Sequence, residues 1–272
     1  MILKFYKYHG TGNDFIIIDD RSLLFPEKDT ELVARLCHRR FGIGADGLIL
    51  LQKAEGYDFR MIYYNADGNK SSMCGNGGRC IVAFAHFLGI ITEKAHFVAT
   101  DGPHDAKITG MNIPFSHELN ISLHMQDVDE VIKEGDEVRI LNTGSPHYVV
   151  FGKEIDALLV VPEARAIRFN DIYRKDGINV NFVEPDTHDH IKVRTYERGV
   201  EDETYSCGTG VTASAIANHA KYHSVEEGEF NTYINTPGGE LEVTFHAKGH
   251  NHYTDVWLKG PAVRVYEGEV RV

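Results

Sequence analysis

The chain has 272 residues, 42% of them hydrophobic and 25% charged, with a formal net charge of −12, which is room for two medium domains or one large one around a substantial core. So acidic a surface repels nucleic-acid phosphates and anionic lipid, and no apolar run approaches the roughly 20 residues that span a bilayer, so neither nucleic acid nor membrane is expected as a partner. Residues 1–6 lack the long apolar segment and cleavage site of a signal peptide, which makes the cytoplasm the expected location and keeps Cys37, Cys74, Cys80 and Cys207 reduced. Five residues separate Cys74 from Cys80, and no second Cys pair or close His pair completes a metal site, so no metal is expected.

Along the chain, residues 15–19 read as a strand and 29–40 as a helix. In that helix Asp29 or Thr30 serves as cap, Leu32, Val33 and Leu36 form the apolar face, and Arg39-Arg40 sit at the C-terminal end. Residues 48–51 and 58–64 read as strands, and 76–88 as a helix stopped by Gly89. Residues 103–136 show little pattern and hold the crossover near 115. Strands follow at 147–151, 178–183 and 191–196, then an alanine-rich helix over 209–222. Strands at 230–235, 240–246, 253–258 and 262–265 close the chain, joined by turns containing Gly or Pro. Strands outnumber helices and the antiparallel links are short, which predicts an α+β fold with a mainly antiparallel sheet packed around a helix in each half.

The most informative feature is a duplicated cysteine motif. Cys74-Gly75-Asn76-Gly77 recurs as Cys207-Gly208-Thr209-Gly210, 133 residues on (207 − 74). The repeat extends further: residues 11–17 resemble 143–149 and residues 61–65 resemble 193–197, both at an offset of 132. Residues 42–49 resemble 177–183 more weakly at an apparent offset of 135. So long a period excludes a solenoid and predicts one duplicated domain. The halves are expected to divide as 1–115, carrying Cys74, and 116–272, carrying Cys207, with the last strand packing back on the first half and the active site in a cleft.

Each motif cysteine immediately precedes a predicted helix. A helix N-terminus presents backbone N–H groups without intrahelical partners and a positive dipole end, which favours thiolate and suits a substrate carboxylate. Two such thiols are the equipment for inverting a carbon acid: one takes the α-proton, the other returns a proton to the opposite face. Cys37 and Cys80 lack that setting and read as core residues.

The chain resembles the diaminopimelate epimerase family. The resemblance lies in His9-Gly10-Thr11-Gly12-Asn13-Asp14-Phe15, residues 40–47, Tyr64-Asn65-Ala66-Asp67-Gly68, residues 73–80, Tyr196-Glu197-Arg198-Gly199 and residues 207–210. It implies two-domain subunits with pseudo-twofold symmetry that form a homodimer. It also implies cofactor-independent conversion of LL-diaminopimelate, a small amino-acid substrate, to the meso isomer in lysine biosynthesis. Cys74 and Cys207 match the family's acid/base pair, and His147 and Glu197 match positions that orient substrate and tune the thiols. Asn13, Asn65, Gly75, Asn76, Asn179, Glu197, Arg198, Gly208 and Thr209 match substrate-binding positions. Two residues depart from the usual pattern: Ser145 where many members have Asn, and Gly47 where some have Gln.

Other readings are weaker. A proline racemase-like enzyme shares the two-thiol plan but carries Cys-Gly-His-Gly where this chain has Cys74-Gly75-Asn76-Gly77. An isomerase of the phenazine-biosynthesis type lacks the paired cysteines. A pyridoxal phosphate racemase needs a Schiff-base lysine and phosphate cup, for which no motif is present. A non-catalytic amino-acid-binding protein has no reason to keep both thiols.

Overall fold

A computed structural model describes residues 1–111, 117–249 and 251–272. The chain divides into two compact units: Met1–Leu123 with Gly260–Val272, and His124–Lys259. The boundary expected at residues 115 and 116 lies outside the described residues.

The first unit contains β1 (Ile2–Gly10), β2 (Asn13–Asp19), α1 (Thr30–Cys37), β3 (Gly47–Gln52), β4 (Phe59–Asn65), β5 (Lys70–Ser71), α2 (Gly75–Phe87), β6 (Lys94–Ala99), β7 (Gly102–Met111) and all of β8 (Glu118–His124) but its last residue. The second holds β9 (Val131–Glu134), β10 (Val138–Asn142), β11 (Pro146–Phe151), α3 (Val160–Arg168), β12 (Asn179–Pro185), β13 (His190–Glu197), β14 (Asp202–Thr204), α4 (Gly208–Tyr222), β15 (Gly228–Thr236) and β16 (Gly239–Ala247). The last strand, β17 (Tyr253–Arg271), contributes its residues through Lys259 to the second unit and the rest to the first.

In the first unit β1–β2, β3–β4, β6–β7 and β7–β8 pair antiparallel, while β2–β3 and β4–β6 pair parallel. The end of β17 pairs with both β8 and β1, which closes the ring. Helix α2 fills the interior, with every residue from Gly75 to Ala85 buried. Strands β2 and β3 are covered on both faces. Ile16, Ile18, Leu48 and Leu50 pack with Leu32, Val33 and Leu36 of α1, while Phe15 and Ile49 face Gly77 of α2. Two covered faces explain the unbroken apolar runs of these strands. Each such side chain contributes about 1.5–3 kcal/mol by leaving water.

The second unit repeats the plan. Its β10–β11, β12–β13 and β15–β16 pairs are antiparallel, and β11–β12 and β13–β15 are parallel. Helix α4 lies buried from Val211 to Ala220. On the outer face α3, which the sequence pattern did not suggest, packs Val160 and Ala164 against Ile178, Val180, Phe182 and Tyr196.

Ladder registers confirm the duplication. Phe15 pairs with Gly47 as His147 pairs with Asn179, and Leu48 with Tyr64 as Val180 with Tyr196. The offset therefore stays at 132 through β12, and the apparent 135 is corrected: Gly47 corresponds to Asn179. The Gly-Ile likeness behind the longer offset sits in the loops entering β3 and β12, which differ in length.

Three other expectations change. Helix α1 ends at Cys37, not at Arg40, because the chain reverses there: Ile43 donates to the Leu36 carbonyl at 2.9 Å, and Arg39 leaves the helix to pair with Asp14 and Asp46. The two strands expected at 253–258 and 262–265 are one, since β17 runs straight through Gly260-Pro261. Proline removes only a donor and keeps an extended φ, so a strand tolerates it where that donor has no use. The patternless stretch 103–136 contains β7, β8 and β9, whose outward residues, such as Asp105 and Lys107, mask a weak alternation.

Candidate active site

Cys74 and Cys207 are the N-caps of α2 and α4, both in extended backbone (φ −102°, ψ 132° and φ −114°, ψ 116°). Each carbonyl opens its helix, accepting from Gly78 at 2.7 Å and from Val211 at 2.9 Å. Both thiols therefore lie at the amide-rich end of a buried helix. The helices start one residue earlier than the sequence pattern suggests, so Gly75 and Gly208 belong to their first turns.

Around Cys74 the site is built by the start of β2, the end of β4 and the start of α2. The ladder Phe15–Gly47–Asn65 puts Asn13 and Asn65 at one end of the sheet, with Asn65 exposed. The Asn13 amide oxygen accepts from the Cys74 thiol at 3.6 Å and from Asn76 Nδ2 at 3.2 Å, and its nitrogen donates to Asp46 at 2.8 Å. Arg39 bridges Asp46 and Asp14 at 2.7 Å each, and Lys7 reaches Asp14 at 2.6 Å. Burial alone would raise the Asp14 carboxyl, but the hydrogen bonds and charges of Arg39 and Lys7 prevail and hold it near 2.

Arg79 was missed by sequence reasoning. It is fully buried in α2, and its guanidinium donates to Asn76 Oδ1 at 2.8 Å, Thr11 Oγ1 at 3.2 Å, the Pro261 carbonyl at 3.4 Å and the Gly75 carbonyl at 3.5 Å. None of these acceptors is a carboxylate. By occupying Oδ1 of Asn76, Arg79 turns the amide nitrogen towards Asn13. Its place one helical turn beyond Asn76 was the available signal, though an Arg there reads equally as a surface residue. Position 47 also has a physical explanation: a Cβ on Gly47 would lie 2.5 Å from the Tyr63 ring and 2.6 Å from the Tyr64 carbonyl. The ring takes the room that a Gln at this position would need.

Around Cys207 the parallel pair His147–Asn179 and the antiparallel pair Val180–Tyr196 bring the starts of β11 and β12 beside the end of β13. Asn179 accepts the Arg198 backbone N–H at 2.9 Å and donates to Ser145 Oγ at 2.8 Å and the Pro146 carbonyl at 3.1 Å. The exposed Arg198 guanidinium donates to the Asp176 carbonyl at 2.8 Å and Ser145 Oγ at 3.3 Å. The short Ser145 side chain thus ties Asn179 to Arg198. Glu197, half-buried, accepts from Thr204 Oγ1 at 2.5 Å. The Cys207 sulfur lies 3.5 Å from Thr209 Oγ1, and the Thr209 carbonyl accepts from Thr143 at 2.8 Å.

His147 is wholly buried, and its Nδ1 lies 3.0 Å from Asn181 Nδ2. Burial, aided by the positive charge of Arg198, pushes its pKa down to about 3, so the ring is neutral at physiological pH. Asn181 and its partner Thr195 also escaped sequence reasoning, because a polar residue in an apolar strand run gives no sign of what it faces.

Each unit thus gathers a thiol, a helix N-terminus and amide side chains at one end of its sheet. Such an end can grip a carboxylate and hold a proton carrier beside it. Among the described residues no cluster of three or more His, Cys, Asp or Glu has an arrangement that would hold a metal ion, and no helix is long and apolar enough to cross a membrane.

The family model for diaminopimelate epimerase matches residues 5–110 and 139–269. A diaminopimelate epimerase from Flavobacterium psychrophilum is 51% identical over 265 residues, covering 97% of this chain and 99% of its own. Among solved structures, a PhzF-family phenazine biosynthesis protein from Bacillus anthracis superposes with a TM-score of 0.75 at 16% identity, over 100% of both chains. A probable proline racemase from Agrobacterium radiobacter K84 reaches 0.68 at 16% identity, over 99% of this chain and 93% of its own. At that identity the two structures establish the shared fold alone.

Proposed function

This chain belongs to the diaminopimelate epimerase family, and from that premise we propose that it interconverts LL- and meso-diaminopimelate without a cofactor, as a step in lysine biosynthesis. The observation that carries the reading is the pair of cysteines capping two equivalent buried helices, in a chain 51% identical to a diaminopimelate epimerase over nearly its whole length.

In the proposed mechanism one cysteine, as thiolate, removes the α-proton, and the other, as thiol, delivers a proton to the opposite face. The roles exchange in the reverse reaction. The α-proton of an amino acid is a very weak acid, so the negative charge that grows on the carboxylate needs stabilisation. The first-turn amides at Gly75-Asn76 and Gly208-Thr209 supply it, as preorganised donors that need no rearrangement during the reaction. Arg198 offers a planar fork for the distal carboxylate. Glu197 accepts from the substrate ammonium, and Asn13, Asn65 and Asn179 complete a polar frame that both donates and accepts. His147, neutral and buried, works beside Cys207. The enzyme acts in the cytoplasm as a homodimer.

Incubation with LL-diaminopimelate in D₂O, without added cofactor, tests the reaction: meso product carrying deuterium at one α-carbon is expected. Turnover of proline or hydroxyproline with no action on diaminopimelate would replace this reading with a proline racemase-like one.

A further inference from the structure

The ring nitrogens of His147 are treated very differently by their surroundings. Nδ1 meets the side-chain amide of Asn181 at 3.0 Å. Nε2 is buried and has no hydrogen-bond partner among the described residues. On the other side of the Asn181 amide, Thr195 Oγ1 donates to Asn181 Oδ1 at 3.0 Å. With the oxygen occupied by a donor, the NH₂ group faces the ring. An amide nitrogen only donates, so in this arrangement Nδ1 accepts and the single ring proton of neutral His147 sits on Nε2. Asn181 and Thr195 are both buried, at 0% and 2% exposure, so water does not compete for these bonds.

The relay lies against the Cys207 end of α4. A Cβ on Gly210 would lie 2.5 Å from Asn181 Oδ1 and 3.3 Å from the Cys207 sulfur, so only glycine in that first turn lets the amide and the thiol come so near. Leaving a buried N–H unpaired is costly, and buried polar groups without partners are rare. A fold that orders three polar side chains to keep this proton on this nitrogen has a use for the donor.

We propose that Asn181, held by Thr195, is a positioning residue that locks His147 in its Nε2–H tautomer, so that a neutral N–H donor stands ready for the negative charge that forms at the Cys207 end of the site. The use of that donor rests on the epimerase reading; the tautomer does not.

The tautomer is read directly by long-range ¹H–¹⁵N spectra of the full chain labelled with ¹⁵N-histidine, His147 being assigned by its loss in His147→Gln. Nδ1 is expected to resonate as an unprotonated nitrogen and Nε2 as a protonated one. Asn181→Asp keeps the shape but offers only acceptors, so it should transfer the proton to Nδ1 and lower kcat about 100-fold with KM little changed, the signature of a misplaced tautomer. Thr195→Ser should behave as the parent, and Thr195→Val should lose part of the bias. A proton on Nδ1 in the unsubstituted protein, or an Asn181→Asp variant with unchanged tautomer and unchanged kcat, overturns the proposal. If the unsubstituted protein fails to turn over diaminopimelate while the spectra show Nε2–H, the epimerase reading fails and the tautomer assignment stands.

Discussion

Beneath Cys74 and beneath Cys207 the same backbone plan carries opposite chemistry. Under the first turn of α2, the Cβ position of Gly77 is ringed by Ile49, Met61 and Phe15. At the repeat-related positions under α4 stand Asn181 for Ile49 and His147 for Phe15, with Thr195 in place of Tyr63. The buried cation shows the reverse pattern. Arg79 extends from α2 to four neutral acceptors, whereas its counterpart in α4, Thr212, only returns a hydrogen bond to the Gly208 carbonyl at 2.9 Å. Duplication kept the thiol and its helix cap in both units and let the supports diverge. One cysteine is backed by an oily floor and a buried guanidinium, the other by a neutral polar relay. In the proposed mechanism the two thiols exchange roles, and such a pair need not be supported alike; it needs matched effective basicity, which different surroundings can supply.

The largest expected effect treats the two thiols as equals. Cys74→Ala and Cys207→Ala should each lower epimerisation by about 10³-fold or more while leaving circular dichroism unchanged. A variant retaining a tenth of the parent rate would make one cysteine dispensable and end the comparison.

Acid should then distinguish the units, by a few kcal/mol. The pKa of His147 is lowered from its ordinary 6.5 to about 3, and that of His219, beside Tyr253, is lowered to about 4, both first by burial. The folded state therefore binds fewer protons than the unfolded state in this range. The stability these neutral rings contribute is present above pH 6.5 and is lost as pH falls towards 4 and 3. Asp14 in the first unit is lowered from 3.8 to about 2, so its contribution is intact above pH 3.8 and is lost only as pH falls towards 2. His9 in the first unit is lowered from 6.5 as well, again first by burial, so at pH 4.5 amides of α4 should lose more exchange protection than those of α2. Equal loss in the two helices would contradict the assignment.

Removing the buried cation should also act unequally. Arg79→Met removes the guanidinium that donates to Asn76 Oδ1, Thr11 Oγ1 and the Gly75 and Pro261 carbonyls and should destabilise by roughly 3 kcal/mol, whereas Thr212→Val should cost about 1 kcal/mol. Urea denaturation measures both, and similar values would mean that Arg79 is a passive filler. The smallest effect is sought at the exposed edge of the second unit. Arg198→Lys keeps the charge but loses the fork, and should raise KM for diaminopimelate about tenfold with kcat nearly unchanged. A fall in kcat alone would move Arg198 from substrate binding into the chemistry.

Much of this arrangement was legible in the sequence. The Cys-Gly-x-Gly pair marked both helix N-termini because glycines and small residues there have few other uses. The apolar runs at residues 15–18 and 48–51 marked strands covered on both faces. Residues 103–136 were illegible because β7 buries little beyond Ala106, so its alternation is faint, and Gly260-Pro261 imitated a turn because composition does not show whether a strand needs that amide. The supports of the site stayed hidden for a related reason. Arg79, Asn181 and Thr195 act through what they touch across the fold, and a polar residue inside an apolar run has the same sequence signature whether it holds a histidine or faces water.

The central claim, that two cysteines share one inversion, is tested most directly by following LL-diaminopimelate in D₂O with the unsubstituted protein and with each alanine variant side by side. The parent should give meso product with a single solvent deuterium at the inverted carbon, and both variants should give none. Inversion without deuterium, or inversion that survives the loss of either thiol, would contradict it.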